Sequence, residues 1–427
     1  MDIRTKLMDL GQAGQLAFQV AREWWETGIF FSAFGKSFQN DPYSFYQDLR
    51  ERDPIHRSYA ANGWILTRYR DIEPILSDLD FSSDDRNLGV WEKLRTANIR
   101  RGVVAPDEEF EPTMLRADPP AHTRLRRLVN KAFTPRAVEK LRPRIEEIAD
   151  ELLSGVAQRS EMDLVSDLGV PLPIIVIAEM LGIPSQDREQ FKIWSTDFAD
   201  TVGRVTPESL IRARRSGEEF TEYIGKIAEE RRREPRADLL SGLVAAEAEG
   251  DRLSASELAG TAALLLTAGN ETTTNLICNG VLALLQNPEQ LEELRSDPAL
   301  IENAVEEFLR YDSPVQATAR IVMEDQEFVG NPFKKGQQIS LLIGAANRDP
   351  EVFDDPDRLN LKRERIAHLS FSRGAHFCLG AQLARLEAQV AIGELVRRLP
   401  GMKLASDTIE RNGHLLLRGV KALPLRF

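Results

Sequence analysis

The chain has 427 residues, 42% hydrophobic and 29% charged, with a formal net charge of -12 at pH 7. This is the composition of a globular chain with a packed core, and the acidic balance excludes a general nucleic-acid binder, because phosphate neutralisation needs a concentrated excess of Lys and Arg. Only two cysteines occur, Cys278 and Cys378, a hundred residues apart, so no disulfide framework is indicated and each needs its own explanation.

Residues 1–40 read as a leader. They contain no uninterrupted apolar run of the roughly 20 residues that span a bilayer, and no small-residue cleavage site after an apolar core. The first part predicts an amphipathic helix packed on the body of the protein; Trp24, Trp25, Phe30, Phe31 and Phe34 would serve a lipid surface only in the alternative reading. With no transmembrane segment, the expected location is the cytoplasm. Ile55–Tyr59 and Trp64–Thr67 flank Ala60-Ala61-Asn62-Gly63 and predict a hairpin. The stretch 82–117 has no clear periodicity, which is typical of a binding loop or lid.

From Asp118 onward helical patterns dominate. Asp118-Pro119-Pro120 opens a helix that places His122 and Arg126 one turn apart on one face. Donors at that spacing can clamp carboxylates, although by residue type alone they would be surface charges. Apolar residues recur at three- and four-residue spacing near 136–158, 187–199, 207–233, 255–286, 289–295 and 298–311. The segment 255–286 is long enough to cross the molecule. Strand-like segments are few, with Gln338–Ile343 and Leu415–Phe427 the later ones. The fold class is mainly α with a minor β part, and with no repeat or linker to divide it, 41–427 reads as a single catalytic domain.

Three clusters within this pattern carry chemistry. Phe371-Ser372-Arg373-Gly374-Ala375-His376-Phe377-Cys378-Leu379-Gly380 ends just before the amphipathic segment Ala381–Arg397, so Cys378 falls near a helix N-terminus, where the dipole and free amides favour a thiolate. Gly374 and Gly380 let a flat ligand approach the backbone, and Phe371 can shield the sulfur. Ala268-Gly269-Asn270-Glu271-Thr272 interrupts the longest helix with residues that pack poorly, which points to a functional stretch or to a polar stripe facing water. Glu307 and Arg310 share a helix face and can pair, a pattern that in isolation is usually solvated.

Phe-x-x-Gly-x-His-x-Cys-x-Gly resembles the haem-binding signature of the cytochrome P-450 family, with Ser372 and Arg373 at positions where bacterial members often differ. The resemblance covers about Asp41 to Phe427. It implies the family's fold, with a long central helix over haem b (iron protoporphyrin IX), and Cys378 as the axial ligand to the iron. It further implies that His122, Arg126, Arg320 and His376 hold the haem propionates, and that Glu307 and Arg310 form a structural triad with Arg358. Glu271 and Thr272 match the acid and alcohol that bring protons to dioxygen as it is activated; Asn270 replaces a common His, with little consequence expected.

The function so implied is a monooxygenase that inserts one oxygen atom from dioxygen into a lipophilic substrate. No dinucleotide or flavin module accompanies the catalytic domain, so electrons from NAD(P)H require separate partners, a ferredoxin and a ferredoxin reductase. Arg124, Arg127, Lys131, Arg136, Arg373 and Arg385 are a candidate basic patch for an acidic ferredoxin. Segments 84–115, 191–225, Leu264–Thr267, Val315–Thr318 and Leu415–Leu417 are candidate pocket walls, and a monomer is expected. The alternatives are a peroxygenase driven by hydrogen peroxide, which would generally lack the acid and alcohol, and a haem protein that binds or senses without turnover.

Overall fold

In a computed structural model the described residues are 18–29, 36–59, 62–100, 104, 112–156, 159–201, 206–246, 253–414 and 416–427. Phe30, Phe31, Phe34, Ala60, Ala61, Leu415 and parts of the candidate pocket walls lie outside them.

The central helix, Ala255–Gln286, is started by a capping box in which Ser254 and Glu257 exchange side-chain and backbone hydrogen bonds. Most of its second half is buried on every side, because it packs against Pro171–Leu181, Pro207–Arg233, Ile301–Tyr311 and the cysteine-following helix Ala381–Arg398. Predicted helices 187–199, 207–233, 255–286 and 289–295 correspond to Arg188–Ala199, Pro207–Arg233, Ala255–Gln286 and Pro288–Ser296. The predicted helix at 136–158 is divided into Pro135–Glu139 and Arg142–Val156; Pro143 has no amide to continue the ladder from the preceding turn and sits naturally in a new first turn. Likewise 298–311 begins as a short 3-10 turn before Ile301–Tyr311.

The β part is a five-stranded sheet in the order Ile55–Ser58, Gly63–Leu66, Gln338–Leu341, Thr318–Val322, Phe81–Ser82. Its first pair is the predicted antiparallel hairpin. Gly63 is required at the parallel join to the third strand: a Cβ there would lie 1.8 Å from the Gln338 carbonyl oxygen. Gln338–Ile343 therefore contributes a strand only to Leu341, after which Ile343–Ala346 turns into a short helix. Among the described residues of the C-terminal segment, Pro424–Arg426 alone is a strand, in a three-stranded sheet with Glu161–Asp163 and Lys403–Leu404. Within 82–117, Trp91–Arg100 is helical.

The leader meets the sheet through a buried contact. A helix at 18–27 places Glu23 against His56, whose Nε2 lies 2.9 Å from Glu23 Oε1 and whose Nδ1 lies 2.8 Å from Asp53 Oδ2. Trp25 and Phe18 on the same helix are exposed. Among the described residues no helix is long and apolar enough to cross a membrane.

Candidate functional site

The cysteine loop is a closed backbone turn. Cys378 N donates to Phe371 O over 2.8 Å, Ser372 N to Leu369 O over 2.8 Å and Phe377 N to Gly374 O over 3.1 Å. Gly374 has a positive φ, and a Cβ there would meet Ser77 Cα at 2.7 Å, so only glycine fits both the conformation and the space. Phe371 has Arg385 4.5 Å above its ring and the tilted His368 ring 5.6 Å away. Glu306 fixes both neighbours, accepting from Arg385 over 2.6 and 2.8 Å and lying 3.2 Å from His368 Nε2. Neither Glu306 nor His368 had a role in the sequence reading, and nothing in their spacing indicates one.

Burial pushes the Cys378 thiol up, against the opposing effects of the Gly380 amide, Arg126 and Arg385. A bound metal ion would favour the thiolate, because a coordinating thiol is deprotonated outright.

Four basic side chains from three elements converge near this loop. His122 and Arg126 come from the helix Ala121–Asn130, Arg320 from the strand Thr318–Val322, and His376 from the turn Gly374–His376. The rings of His122 and His376 are 4.2 Å apart, and Arg126 Nη1 donates to Ala375 O over 3.1 Å. Burial first, then His122, Arg320 and Arg126, lower the His376 pKa to about 3. Burial likewise lowers Arg320 to about 10, partly offset by Asp118. Both ring nitrogens of His122 and Nη2 of Arg320 are buried without a hydrogen-bond partner among the described residues. Such a cluster is costly unless a ligand supplies negative charge and acceptors. Asp118 instead organises the entry turn, accepting from Ser82 Oγ and, over 2.9 Å, from Ser83 N.

On the central helix, Thr272 Oγ1 donates to Ala268 O over 2.6 Å and Thr267 Oγ1 to Ala263 O over 2.9 Å, a back-bonding pattern that bends helices. The helical assignment nonetheless runs unbroken through Gly269. Asn270 has a packing role: its Nδ2 donates to Ser195 Oγ over 2.9 Å and ties the helix to Arg188–Ala199. Burial, reinforced by Asp200 and opposed by His414, raises the Glu271 pKa.

Glu307 and Arg310 form a fully buried bidentate pair, with Arg310 Nε and Nη2 donating over 2.7 and 2.8 Å. The expected third member is corrected. Arg358 is exposed and offers Arg310 only its carbonyl oxygen, over 3.2 Å. The guanidinium facing Glu307 is that of Arg363, with Nε at 3.1 and 3.3 Å from the two carboxylate oxygens. The chain turns at Asp355, which has a positive φ, and the Asn360 amide donates to Glu307 over 3.0 Å, so Arg363 is the residue that is turned inward. Three members of the candidate basic patch also have acidic partners: Arg124 with Glu257, Arg373 with Glu73 and Arg385 with Glu306.

A half-buried cysteine on a glycine-shaped loop, near basic side chains of which His122 and Arg320 keep unbonded nitrogens, is the donor set for a flat, doubly anionic ligand carrying a thiophilic metal. The chain belongs to the cytochrome P450 family: the cytochrome P450 family model matches residues 29–401. It is 44% identical over 401 residues to cytochrome P450 107B1 of Saccharopolyspora erythraea, covering 92% of this chain and 97% of that one. The polyketide biosynthesis cytochrome P450 PksS of Bacillus subtilis is 41% identical, and its solved structure superposes with a TM-score of 0.84 over 93% of this chain and 99% of that one. P450BioI, solved with an acyl carrier protein bearing hexadec-9Z-enoic acid, is 38% identical with a TM-score of 0.83, covering 92% of this chain and 100% of that one. The protein is a cytochrome P450 oxidoreductase of bacterial type. The family carries a haem-thiolate iron, works with redox partners and takes lipophilic substrates.

Proposed function

We propose that this chain inserts one oxygen atom from dioxygen into a medium to large lipophilic molecule, using electrons from NAD(P)H delivered by a ferredoxin and its reductase. The observation that carries this reading is the convergence of His122, Arg126, Arg320 and His376 beside Cys378, with His122 and Arg320 retaining unbonded buried nitrogens. Haem b, when bound, supplies the redox iron that activates dioxygen. Cys378 would ligate that iron, and the four basic residues would hold the propionates. Thr272 positions the oxygen end of the reaction and Glu271 passes protons to it, consistent with the raised pKa of a buried carboxyl. Glu307, Arg310 and Arg363 keep the cysteine loop in place.

The substrate class is supported by the relatives, one named for polyketide biosynthesis and one solved with a long acyl chain on its carrier. The catalytic unit is read as a single cytoplasmic domain, 41–427, acting as a monomer. Incubation with isotopically heavy dioxygen, NADPH, a ferredoxin and its reductase tests this against a fatty acid, a steroid and a macrolactone. One heavy oxygen atom in a product supports the reading. Turnover with hydrogen peroxide but none with dioxygen would contradict it, and the presence of both Glu271 and Thr272 weighs against that outcome.

A further inference from the structure

Glu271, Asn275 and Asn279 form a stripe at four-residue spacing along one side of the central helix, and each member meets the C-terminal segment 411–419. Asn279 Nδ2 donates to Arg418 O over 2.8 Å, and its Oδ1 accepts from Arg411 Nη1 over 3.2 Å. Gly419 approaches Asn275 so closely that a Cβ on it would stand 1.7 Å from Asn275 Oδ1. At the third position, His414 Nε2 lies 3.8 Å from Glu271 Oε1.

The segment that presents His414 is firmly anchored. Arg418 Nε donates to buried Asp312 Oδ1 over 2.7 Å, and Arg411 Nη2 lies 3.3 Å from Oδ2 of the same carboxylate. Arg418 also donates to the carbonyls of Gln39 and Asn40, over 2.7 and 3.1 Å. His414 is therefore held beside Glu271 by a fixed support rather than by a passing loop.

Three polar atoms at this junction are buried without a hydrogen-bond partner among the described residues: Glu271 Oε2, Asn275 Nδ2 and His414 Nδ1. Buried polar groups are nearly always satisfied, and the 3.8 Å between His414 Nε2 and Glu271 Oε1, the other polar atom of each side chain, is too long for a direct hydrogen bond but suits a bridging water. His414 also lines a cavity of about 20 Å³ of mixed character, with Gln39, Gln316, Arg411 and Arg418 beside Phe38 and Tyr46, and that volume admits about one water molecule. The charged groups facing Glu271 are His414 and, from the end of the helix Arg188–Ala199, Asp200, which is itself bonded to Arg212 over 2.7 Å. Arg411 and Arg418 line the same cavity as His414.

We propose that Asn275 and His414 hold a water against Glu271 and that His414 passes protons from the adjoining water-sized cavity to that carboxyl, which makes it a positioning residue for proton supply. This rests on the reading of Glu271 as the proton relay. The transfer balances: the Glu271 carboxylate takes a proton from the bridging water, the water takes one from the His414 imidazolium, and the imidazole regains one from a water in the cavity, which is left as hydroxide until solvent reprotonates it.

The test uses the carbon-monoxide-bound ferrous holoenzyme and the infrared band of the protonated Glu271 carboxyl, identified by its loss in Glu271→Gln. In His414→Phe the band moves to higher wavenumber as a hydrogen bond is lost, and its exchange in heavy water slows roughly tenfold, the lower end of what outer-shell partners contribute. His414→Gln, which bonds a water but carries no proton, keeps the band position and still slows exchange. An unchanged band and exchange rate in His414→Phe would overturn the proposal, as would loss of haem in both His414 variants, which would make the residue merely structural. The solvent isotope effect on NADPH-driven oxygen consumption separates the two claims. A wild-type value in Glu271→Gln removes the relay reading, and with it the transport role of His414, even where the band shift persists.

Discussion

Glu307 and His122 are both buried, yet Glu307 accepts hydrogen bonds from Arg310, Arg363 and the Asn360 amide, whereas neither ring nitrogen of His122 is bonded among the described residues. The first region is complete within the polypeptide. The second is complete only when something else arrives. A buried charge with all its partners supports the fold, while clustered buried donors without partners mark where a ligand belongs.

The largest effect expected from this contrast is on the Glu307 side. Glu307→Ala leaves two inward-facing guanidiniums uncompensated and should destabilise the protein by about 3–5 kcal/mol, the range for breaking a buried ion pair. Arg363→Ala should also destabilise it, while Arg358→Ala should stay within about 0.5 kcal/mol, as exposed substitutions do. Urea unfolding of the three variants checks the assignment, and equal losses for Arg358 and Arg363 would break it.

Glu306 sharpens the comparison through pH. Burial pushes its pKa up, but hydrogen bonds from Arg385 and His368 outweigh this and hold it at about 2. A depressed carboxyl stabilises the fold above its unfolded pKa and loses that contribution as pH falls through the folded value. Wild type should therefore exceed Glu306→Gln by on the order of 2–3 kcal/mol at neutral pH, and the gap should close between the ordinary carboxylate range and pH 2. A gap independent of pH in unfolding experiments would show that packing, not charge, is what Glu306 contributes.

On the ligand side the sign reverses. Arg320→Met should weaken haem binding by about 1.5–3 kcal/mol, the worth of a hydrogen bond to a charged group, while leaving the haem-free protein as stable or more so, because a poorly paired buried guanidinium is removed. Haem titration and thermal unfolding of the haem-free form measure the two terms separately. The smallest effect concerns docking. Reversing the charges of Arg127 and Lys131 should raise the ferredoxin KM a few-fold at low salt and much less at high salt; an unchanged salt dependence would dismiss this patch.

The parts of this picture that were legible in the sequence are contiguous. The loop from Phe371 to Gly380 and the helix start from Asp118 to Arg126 each carry their donors at fixed local spacing, so a contiguous motif could be matched to a family even where residue type alone pointed to surface charge. Arg363 was not legible, because Arg358, Arg363 and Arg365 lie in one irregular stretch, and only the path of the chain past Asp355 decides which side chain turns inward. The helix Pro171–Leu181 was missed for a different reason: it is apolar on nearly every face, so it carries no amphipathic period to detect. The meeting of His414 with Glu271 joins positions 143 residues apart in the chain numbering, and no local pattern announces it.

The most direct test of the central claim is the absorbance difference between the dithionite-reduced protein with and without carbon monoxide, recorded for wild type and for Cys378→Ala. A strongly red-shifted Soret band in wild type that disappears in the variant is the predicted result, since it reports a thiolate on the iron. An imidazole-type band in wild type, or a red-shifted band that survives the substitution, would contradict the assignment of Cys378.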